Sequence, residues 1–264
     1  LLPATSQLEH RDVHKAYGHF YVVDNQPAIA PLGEARSNTE VFRALARRLG
    51  FGHPALYESD ETIAAAAFRA GDARAAGLAE GLQAQGWARL ALPQPFVPFA
   101  EGGFRTPSGK CEFVCAALAR EGLDPLPSWH PPSESVVSNP ALAARYPLAL
   151  ITPPARNFLN SSFANLPRFL AAEGGPTLQI HPHDATARGI ADGARVRIHN
   201  DRGDFLARAV VTRDVRPGVV CAPSVWWPKL CEGGRNVNAV TSPAATDMGA
   251  GPIFYDCLVE VSAA

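Results

Sequence analysis

The sequence predicts a mixed α/β and β chain: helices and a strand over residues 1–92, a Pro-rich connector over 93–145, and a small closed β-barrel over 146–264. Three observations predict it. Helix-period apolar spacing with start and stop signals dominates the first 92 residues. Prolines then recur at 93, 95, 98, 107, 125, 127, 131, 132 and 140. After Tyr146, six short, partly alternating segments rich in β-branched residues follow one another between turn residues.

The elements can be justified in order. His19–Val23 is β-like. Ser37 and Glu40 stand in capping-box relation; Val41, Phe42, Leu45 and Leu49 then repeat at helical spacing, and Gly50 stops the helix. Residues 59–86 are Ala-rich and helical, through Ile63, Ala67, Phe68, Leu78 and Leu82, with breaks at Gly71, Gly77 and Gly86. The proline run reads as an extended connector rather than an independent core, and the boundary falls near Arg145. Strands are predicted over 146–152, 176–181, 194–200, 204–212, 219–223 and 257–262. Turn signals at Asp192-Gly193, Asn200–Gly203 and Pro217-Gly218 separate them. One short helix has Pro182 in its first turn, Asp184 placed for the helix dipole and Gly189 at its end. Strand, helix, strand, hairpin and strand in so short a span is too compact for a βαβ sheet. It suits a closed barrel with one tucked helix.

Composition removes several function classes. Against 25 Asp+Glu stand 24 Lys+Arg, a net charge of −1, so there is no basic face for nucleic acid and no such partner is expected. The longest apolar runs, Ile63–Phe68 and Phe113–Ala119, fall far short of the ~20 residues of a membrane helix, and no membrane span is expected. Five cysteines, odd in number and thinly spread, make no disulfide framework and fit a reducing, cytoplasmic compartment. Cys111 and Cys115, spaced i, i+4, read as small buried hydrophobes rather than metal ligands. LLPATSQLEH has neither the charged start nor the apolar stretch of an export signal, and the abrupt start at Leu1 fits a piece of a longer protein.

The usual catalytic motifs are missing: no G-x-G-x-x-G, no G-x4-G-K-[ST], no H-E-x-x-H and no G-x-S-x-G. His181-Pro-His183 reads as a cap or surface pair, and His10, His14 and His19 lack a third metal ligand nearby. The placement of asparagine is more informative. Five of nine, namely Asn157, Asn160, Asn165, Asn236 and Asn238, lie in two loops, 153–165 and 233–238. Arg156, Ser161 and Ser162 share the first loop; Arg235 and Thr241 accompany the second. Amides offer donors and an acceptor to the edge of a heterocycle, and a guanidinium offers a fork to pyrophosphate. Trp226 and Trp227 could supply a flat wall. The competing reading is that these asparagines merely cap turns.

Four stretches then carry a resemblance: NQPAIAPLGEARSNTEVFRALARRLGF (25–51), FRTPSGKCEF (104–113), LITPPARNFLNSSFAN (150–165), and the run 178–220 followed by RNVNAVTS (235–242). In that order they resemble the C-terminal portion of a molybdopterin-dependent oxidoreductase of the dimethyl-sulfoxide-reductase superfamily, nearest to the formate-dehydrogenase-like group. The resemblance implies that residues 146–264 form a double-psi β-barrel-like, molybdopterin-dinucleotide-binding domain. Residues 1–92 would be the tail of a catalytic α/β region. The implied cofactor is bis(molybdopterin guanine dinucleotide) with molybdenum or tungsten. By position, Arg156, Asn157, Asn160, Ser161, Ser162, Trp226, Asn236 and Asn238 would touch it, with Phe254 and Tyr255 near it. GEARSN (33–38) either faces the cofactor or simply begins its helix.

The resemblance also places the metal ligand, any iron–sulfur cysteines and the substrate-handling residues upstream. No catalytic residue or metal ligand is therefore expected in this chain, which alone would be inactive. Its expected partner is the upstream catalytic portion or subunit of the same oxidoreductase; the electron-transfer partner is not specified. A non-catalytic barrel module for protein interaction is the alternative. A self-processing barrel decarboxylase is excluded, since no Gly-Ser dipeptide occurs.

Overall fold

The computed structural model describes residues 1–69, 72–246 and 248–264; the break expected at Gly71 lies outside them. The chain divides into two compact units, 1–112 and 113–264. By its contacts, the second half of the expected connector thus belongs to the barrel unit.

In the first unit, β1 (Asp12–Lys15), β2 (Tyr21–Asn25) and β3 (Trp87–Arg89) form an antiparallel sheet in that order. The sequence reading found β2 but not its two short neighbours, the largely exposed β1 and the three-residue β3. Helix α1 (Asn38–Arg48) has the expected capping box between Ser37 and Glu40. Its apolar stripe stays open: Phe42 and Leu49 are about two-thirds exposed, and Ala46 is its one buried residue. Helix α2 spans Asp60–Arg69, and α3 (Leu78–Gln85) lies between Gly77 and Gly86, both left-handed. Leu78 and Leu82 pack with Val22 and Ala88 into a small core.

The second unit begins with two short helices, α4 (Ala116–Arg120) and α5 (Pro140–Arg145). Here the reading of Cys111 and Cys115 is corrected, because both thiols are exposed. The physical reason is local. Helical structure starts only at Ala116, after Cys115 as its cap, so the i, i+4 face the spacing implied never forms.

All six expected barrel strands are present: β4 (Leu148–Ile151), β5 (Thr177–Ile180), β6 (Arg195–Asn200), β7 (Gly203–Val211), β8 (Val219–Cys221) and β9 (Leu258–Ala263). They close in the order β4-β8-β5-β7-β6-β9, the double-psi-like cylinder. Inward positions follow the strand period of two: Val196 and Ile198 on β6, Phe205, Ala207 and Ala209 on β7, and Val259 and Val261 on β9 all join one core. Helix α6 (Pro167–Glu173) lies between β4 and β5, and α7 (Pro182–Ala187) between β5 and β6. His181 caps α7, its Nδ1 accepting from the His183 N–H at 3.2 Å, which is the cap role expected.

Strand directions locate the loops. β8 is parallel to β4; β5 is antiparallel to β8 and parallel to β7; β6 opposes β7, and β9 opposes both β6 and β4. The C-terminal ends of β4, β6 and β8 therefore share one rim with the N-terminal ends of β5, β7 and β9. Residues 152–176, 201–202 and 222–257 all leave from that rim, and both asparagine-bearing loops are among them.

Candidate functional site

The first loop is a folded piece in its own right. Leu159 and Ser162 exchange backbone hydrogen bonds of 3.1 and 2.9 Å, leaving Asn160 and Ser161 at the tip of a tight turn. Asn160 sits at φ 51°, a left-handed conformation that asparagine tolerates better than most residues. Asn157 is turned inward: its backbone N–H and its Nδ2 both donate to Glu173 Oε1, at 2.6 and 2.9 Å. Phe158 and Ala164 are buried beneath the turn.

The segment after β8 ties the two loops together. Ser224 bridges to Pro154; its N–H donates to the Pro153 carbonyl at 2.8 Å and its Oγ to the Thr152 carbonyl at 3.1 Å. Trp226 buries its indole edge-on against Phe158, ring centres 5.0 Å apart, in a cluster with Ala155 and Ala164. The expectation that Trp226 offers an open wall is therefore corrected: it is 6% exposed, because burying so large an apolar ring outweighs displaying it. Trp227 donates from Nε1 to the Ser161 carbonyl at 2.8 Å, and the Lys229 ammonium lies 4.8 Å from its ring centre. Asn236 donates from Nδ2 to the Trp226 carbonyl at 2.6 Å, while its Oδ1 accepts from the Asn238 N–H at 3.1 Å. A continuous chain of bonds thus runs from Ser161 through both tryptophans to Asn238.

The second loop is held from below as well. Val237–Ala239 forms a single 3-10 turn capped by Asn236. It rests on Gly203, where a Cβ would stand 2.9 Å from the Ala239 carbonyl oxygen. The sequence reading took Gly203 for a turn residue; what matters is its missing side chain. Arg235 is engaged too. Its Nη1 lies 2.6 Å from Asp204 Oδ1, while Arg197 Nε bonds Asp204 Oδ2 at 2.6 Å. The hydrogen bond from Arg197, helped by the charge of Arg235, holds the Asp204 carboxyl below its ordinary range.

The predicted residues fall into two groups. Asn157, Trp226 and Asn236 are committed to internal contacts. Arg156, Asn160, Ser161, Ser162 and Asn238 are exposed, and their side chains have no hydrogen-bond or ion-pair partner among the described residues. Phe254 and Tyr255 stand at the end of the long loop from the same rim, partly exposed with ring centres 4.6 Å apart. The space beneath the junction of Ser224, Trp226 and Asn236 is about 10 Å³, too small for a ligand, so the open donors stand on the rim rather than in a hole below it. Ser224, Glu173 and Gly203 were missed as positioning residues. Their partners, Thr152 and Pro153, Asn157 and Ala239, lie in segments separated from them in sequence, and no local pattern signals them.

Comparisons with known proteins agree on the family. Residues 148–258 match the family described as "Molydopterin dinucleotide binding domain". The chain is 36% identical to "Probable oxidoreductase YoaE" of Bacillus subtilis (strain 168), over 99% of this chain and 37% of that protein. It is 32% identical to "Dimethyl sulfoxide/trimethylamine N-oxide reductase" of Rhodobacter capsulatus, over 94% of this chain and 32% of that protein. Among solved structures, "Acetylene Hydratase from Pelobacter acetylenicus" superposes with a TM-score of 0.75 at 23% identity, covering 100% of this chain and 38% of that one, a likeness of fold. The chain thus spans about a third of the length of the relatives it matches, 32% to 38% for those named. With a barrel of the expected topology and a family match over nearly all of it, the chain belongs to the molybdopterin-dependent oxidoreductases of the dimethyl-sulfoxide-reductase superfamily, as a C-terminal part that carries the molybdopterin-dinucleotide-binding domain.

Proposed function

We propose that one rim of this barrel binds and orients a molybdopterin guanine dinucleotide, within an oxidoreductase whose remaining parts hold the metal. The observation that carries this reading is the shared rim: both loops are locked together by Ser224, Trp227 and Asn236, while five polar side chains stay open on it. The donor set fits the group. Arg156 supplies a fork for pyrophosphate, Asn160 and Asn238 supply amides for heterocycle edges, and Ser161 and Ser162 supply hydroxyls. Asn157, Trp226 and Asn236 act one step back, holding those donors in place. Phe254 and Tyr255, at the end of the long loop from the same rim, lie near the cofactor in this reading. When bound as a bis-dinucleotide with molybdenum or tungsten, the cofactor supplies two-electron redox chemistry. This chain's own residues bind and orient the phosphates and heterocycles.

In this reading residues 1–92 complete the catalytic α/β region, 93–145 connect, and 146–264 form the cofactor domain. The metal ligand and any iron–sulfur cluster lie in the partner region, so the chain alone is inactive. The open apolar face of α1, with Phe42 and Leu49, supports a covering partner. No helix among the described residues is long and apolar enough to cross a membrane. The five free thiols support a reducing, cytoplasmic location. For the subgroup, the resemblance carried by the four sequence stretches together supports a formate-dehydrogenase-like enzyme. Relatives named as sulfoxide and N-oxide reductases support the second reading, a reductase of such oxides. Assaying the intact enzyme with formate and with dimethyl sulfoxide separates the two.

The binding reading is tested by producing this chain with the rest of its enzyme in cells that make the cofactor. Molybdenum and guanine nucleotide are then measured in the purified protein. Asn160→Ala and Asn238→Ala should each lower occupancy several-fold, about one lost hydrogen bond to a charged or strongly polar group, with the barrel still folded. Unchanged occupancy in both variants overturns the assignment.

A further inference from the structure

The loop of residues 241–256, which carries Phe254 and Tyr255 near its end, is long, and its described residues, 241–246 and 248–256, form no helix or strand. Both of its stems meet in one polar knot. Val240, the residue before it, offers a carbonyl that accepts from Asn200 Nδ2 at 2.8 Å, Arg202 Nε at 2.7 Å and the Cys257 thiol at 3.3 Å. Asn200 Nδ2 also reaches the Leu258 carbonyl at 3.0 Å, on the other stem. Above this knot passes a segment of the connector. Glu134 takes both terminal nitrogens of Arg202, Nη1 at 2.5 Å and Nη2 at 3.0 Å, and its Oε2 accepts the Leu258 N–H at 3.1 Å. Its neighbour Ser133 donates from its N–H and its Oγ to Asp256 Oδ2, at 2.7 and 3.1 Å. The Glu134 side chain is only 14% exposed. Two consecutive connector residues thus hold the barrel turn after β6, 68 residues away, and the last loop residue and the start of β9, 123 and 124 residues away.

We infer that Ser133 and Glu134 form a strap that fixes the 241–256 loop on the barrel rim, and that through this loop they set how firmly the rim retains its guanine-dinucleotide ligand. The inference rests on the proposed function for its second half. Glu134 is a positioning residue: it acts through Arg202 and Leu258, and none of its contacts is with the open donors. A bidentate carboxylate–guanidinium pair with a third bond to a backbone N–H is geometrically demanding, so it defines one loop position rather than a range. Removing the charge weakens the bonds to Arg202 and to the Leu258 N–H and so loosens the hold on the loop, while Asn200 still ties the two stems to each other.

Two readouts separate the strap from the binding reading. In the chain without cofactor, hydrogen exchange is followed at Thr246, Ile253 and Asp256, whose amides are bonded within the loop, and at Leu258. Glu134→Gln should speed exchange there about tenfold, the scale of one lost hydrogen bond to a charged group, while β5, β6 and β7 exchange as before. Ser133→Ala, which removes one side-chain bond only, should give a smaller change confined to Asp256 and its neighbours, and guards against a Glu134 variant that fails to fold. In the cofactor-loaded enzyme, release of guanine nucleotide on dilution should quicken by a similar factor in Glu134→Gln. Unchanged loop exchange overturns the strap. Faster exchange with unchanged release overturns its role in retention. An enzyme that carries no guanine nucleotide at all overturns the binding reading and the retention half with it, while the exchange readout still decides whether the strap exists.

Discussion

Gly203→Ala is the sharpest probe of how the second loop is held. Gly203 opens β7 directly beneath the Val237–Ala239 turn. A Cβ added there would lie 2.9 Å from the Ala239 carbonyl oxygen and 3.7 Å from the Ala239 Cβ. The first contact is with backbone, so no side-chain rotation relieves it, and the turn must lift by a few tenths of an ångström. Forcing one methyl group into such a contact costs about 1–3 kcal/mol. For a protein of this size that lowers Tm by about 2–4 °C for each kcal/mol. The same lift should loosen the Ala239 and Val240 amides, now bonded to Asn236 and Val237 at 2.9 and 3.1 Å, and should lower cofactor occupancy by moving Asn238. Thermal unfolding and hydrogen exchange measure both effects. Gly193→Ala is the control: Gly193 has φ +75° but open space around it, so it loses stability through backbone strain without touching Ala239 exchange. If Gly203→Ala leaves Tm and the two amides as they were, the close approach does not hold the loop, and the reasoning fails.

Two further outcomes follow from charge and burial. Asp204→Asn should cost about 1 kcal/mol at pH 7, discounted because Arg197 and Arg235 are half-exposed. Asp204 has its carboxyl pKa lowered on folding, so its contribution is whole above the ordinary 3.8 and is lost as pH falls through the lower folded value. The stability gap between variant and wild type, followed by urea unfolding from pH 7 to pH 2.5, should therefore shrink only below about pH 4. Separately, burial pushes the Cys257 thiol up to about 11, while Cys111 and Cys115 are exposed. Iodoacetamide at pH 8 should label Cys111 and Cys115 in the folded chain and reach Cys257 only after denaturation, as read by peptide mass spectrometry.

Much of the barrel was legible in the sequence because each strand announces itself locally. Val196 and Ile198, or Val259 and Val261, alternate inward at a period of two whatever their partners. Helix α1 was legible for the same reason, its start written in Ser37 and Glu40. Strand order is another matter: β4 pairs with β8 and β5 with β7, pairings between segments that share no local signal. The strands β1 and β3 were missed because three or four residues carry no periodicity long enough to read. Cys111 and Cys115 misled in the opposite direction. An apolar run beside a helix was read as part of the helix, although the backbone turns helical only at Ala116.

The candidate site was legible as a composition and illegible as a division of labour. Counting asparagines in 153–165 and 233–238 finds the two loops, and the common rim explains why the polar residues gather there. The count cannot tell which amides are still available. Asn236 has its Nδ2 on the Trp226 carbonyl and its Oδ1 under the Asn238 N–H, so the fold fixes the orientation of both groups and leaves each with only its remaining hydrogen or lone pair to offer. Asn157 is committed to Glu173 in the same way. An amide already bonded to the fold loses those bonds if it turns outward, and a buried acceptor left unpaired costs about 1–3 kcal/mol. That cost assigns roles. Residues whose polar atoms are satisfied internally set the shape of the rim, and residues whose polar atoms face solvent without partners are the ones free to exchange water for a ligand. The same reasoning makes Trp226 a fixing residue: its carbonyl accepts from Asn236 and its indole packs edge-on against Phe158.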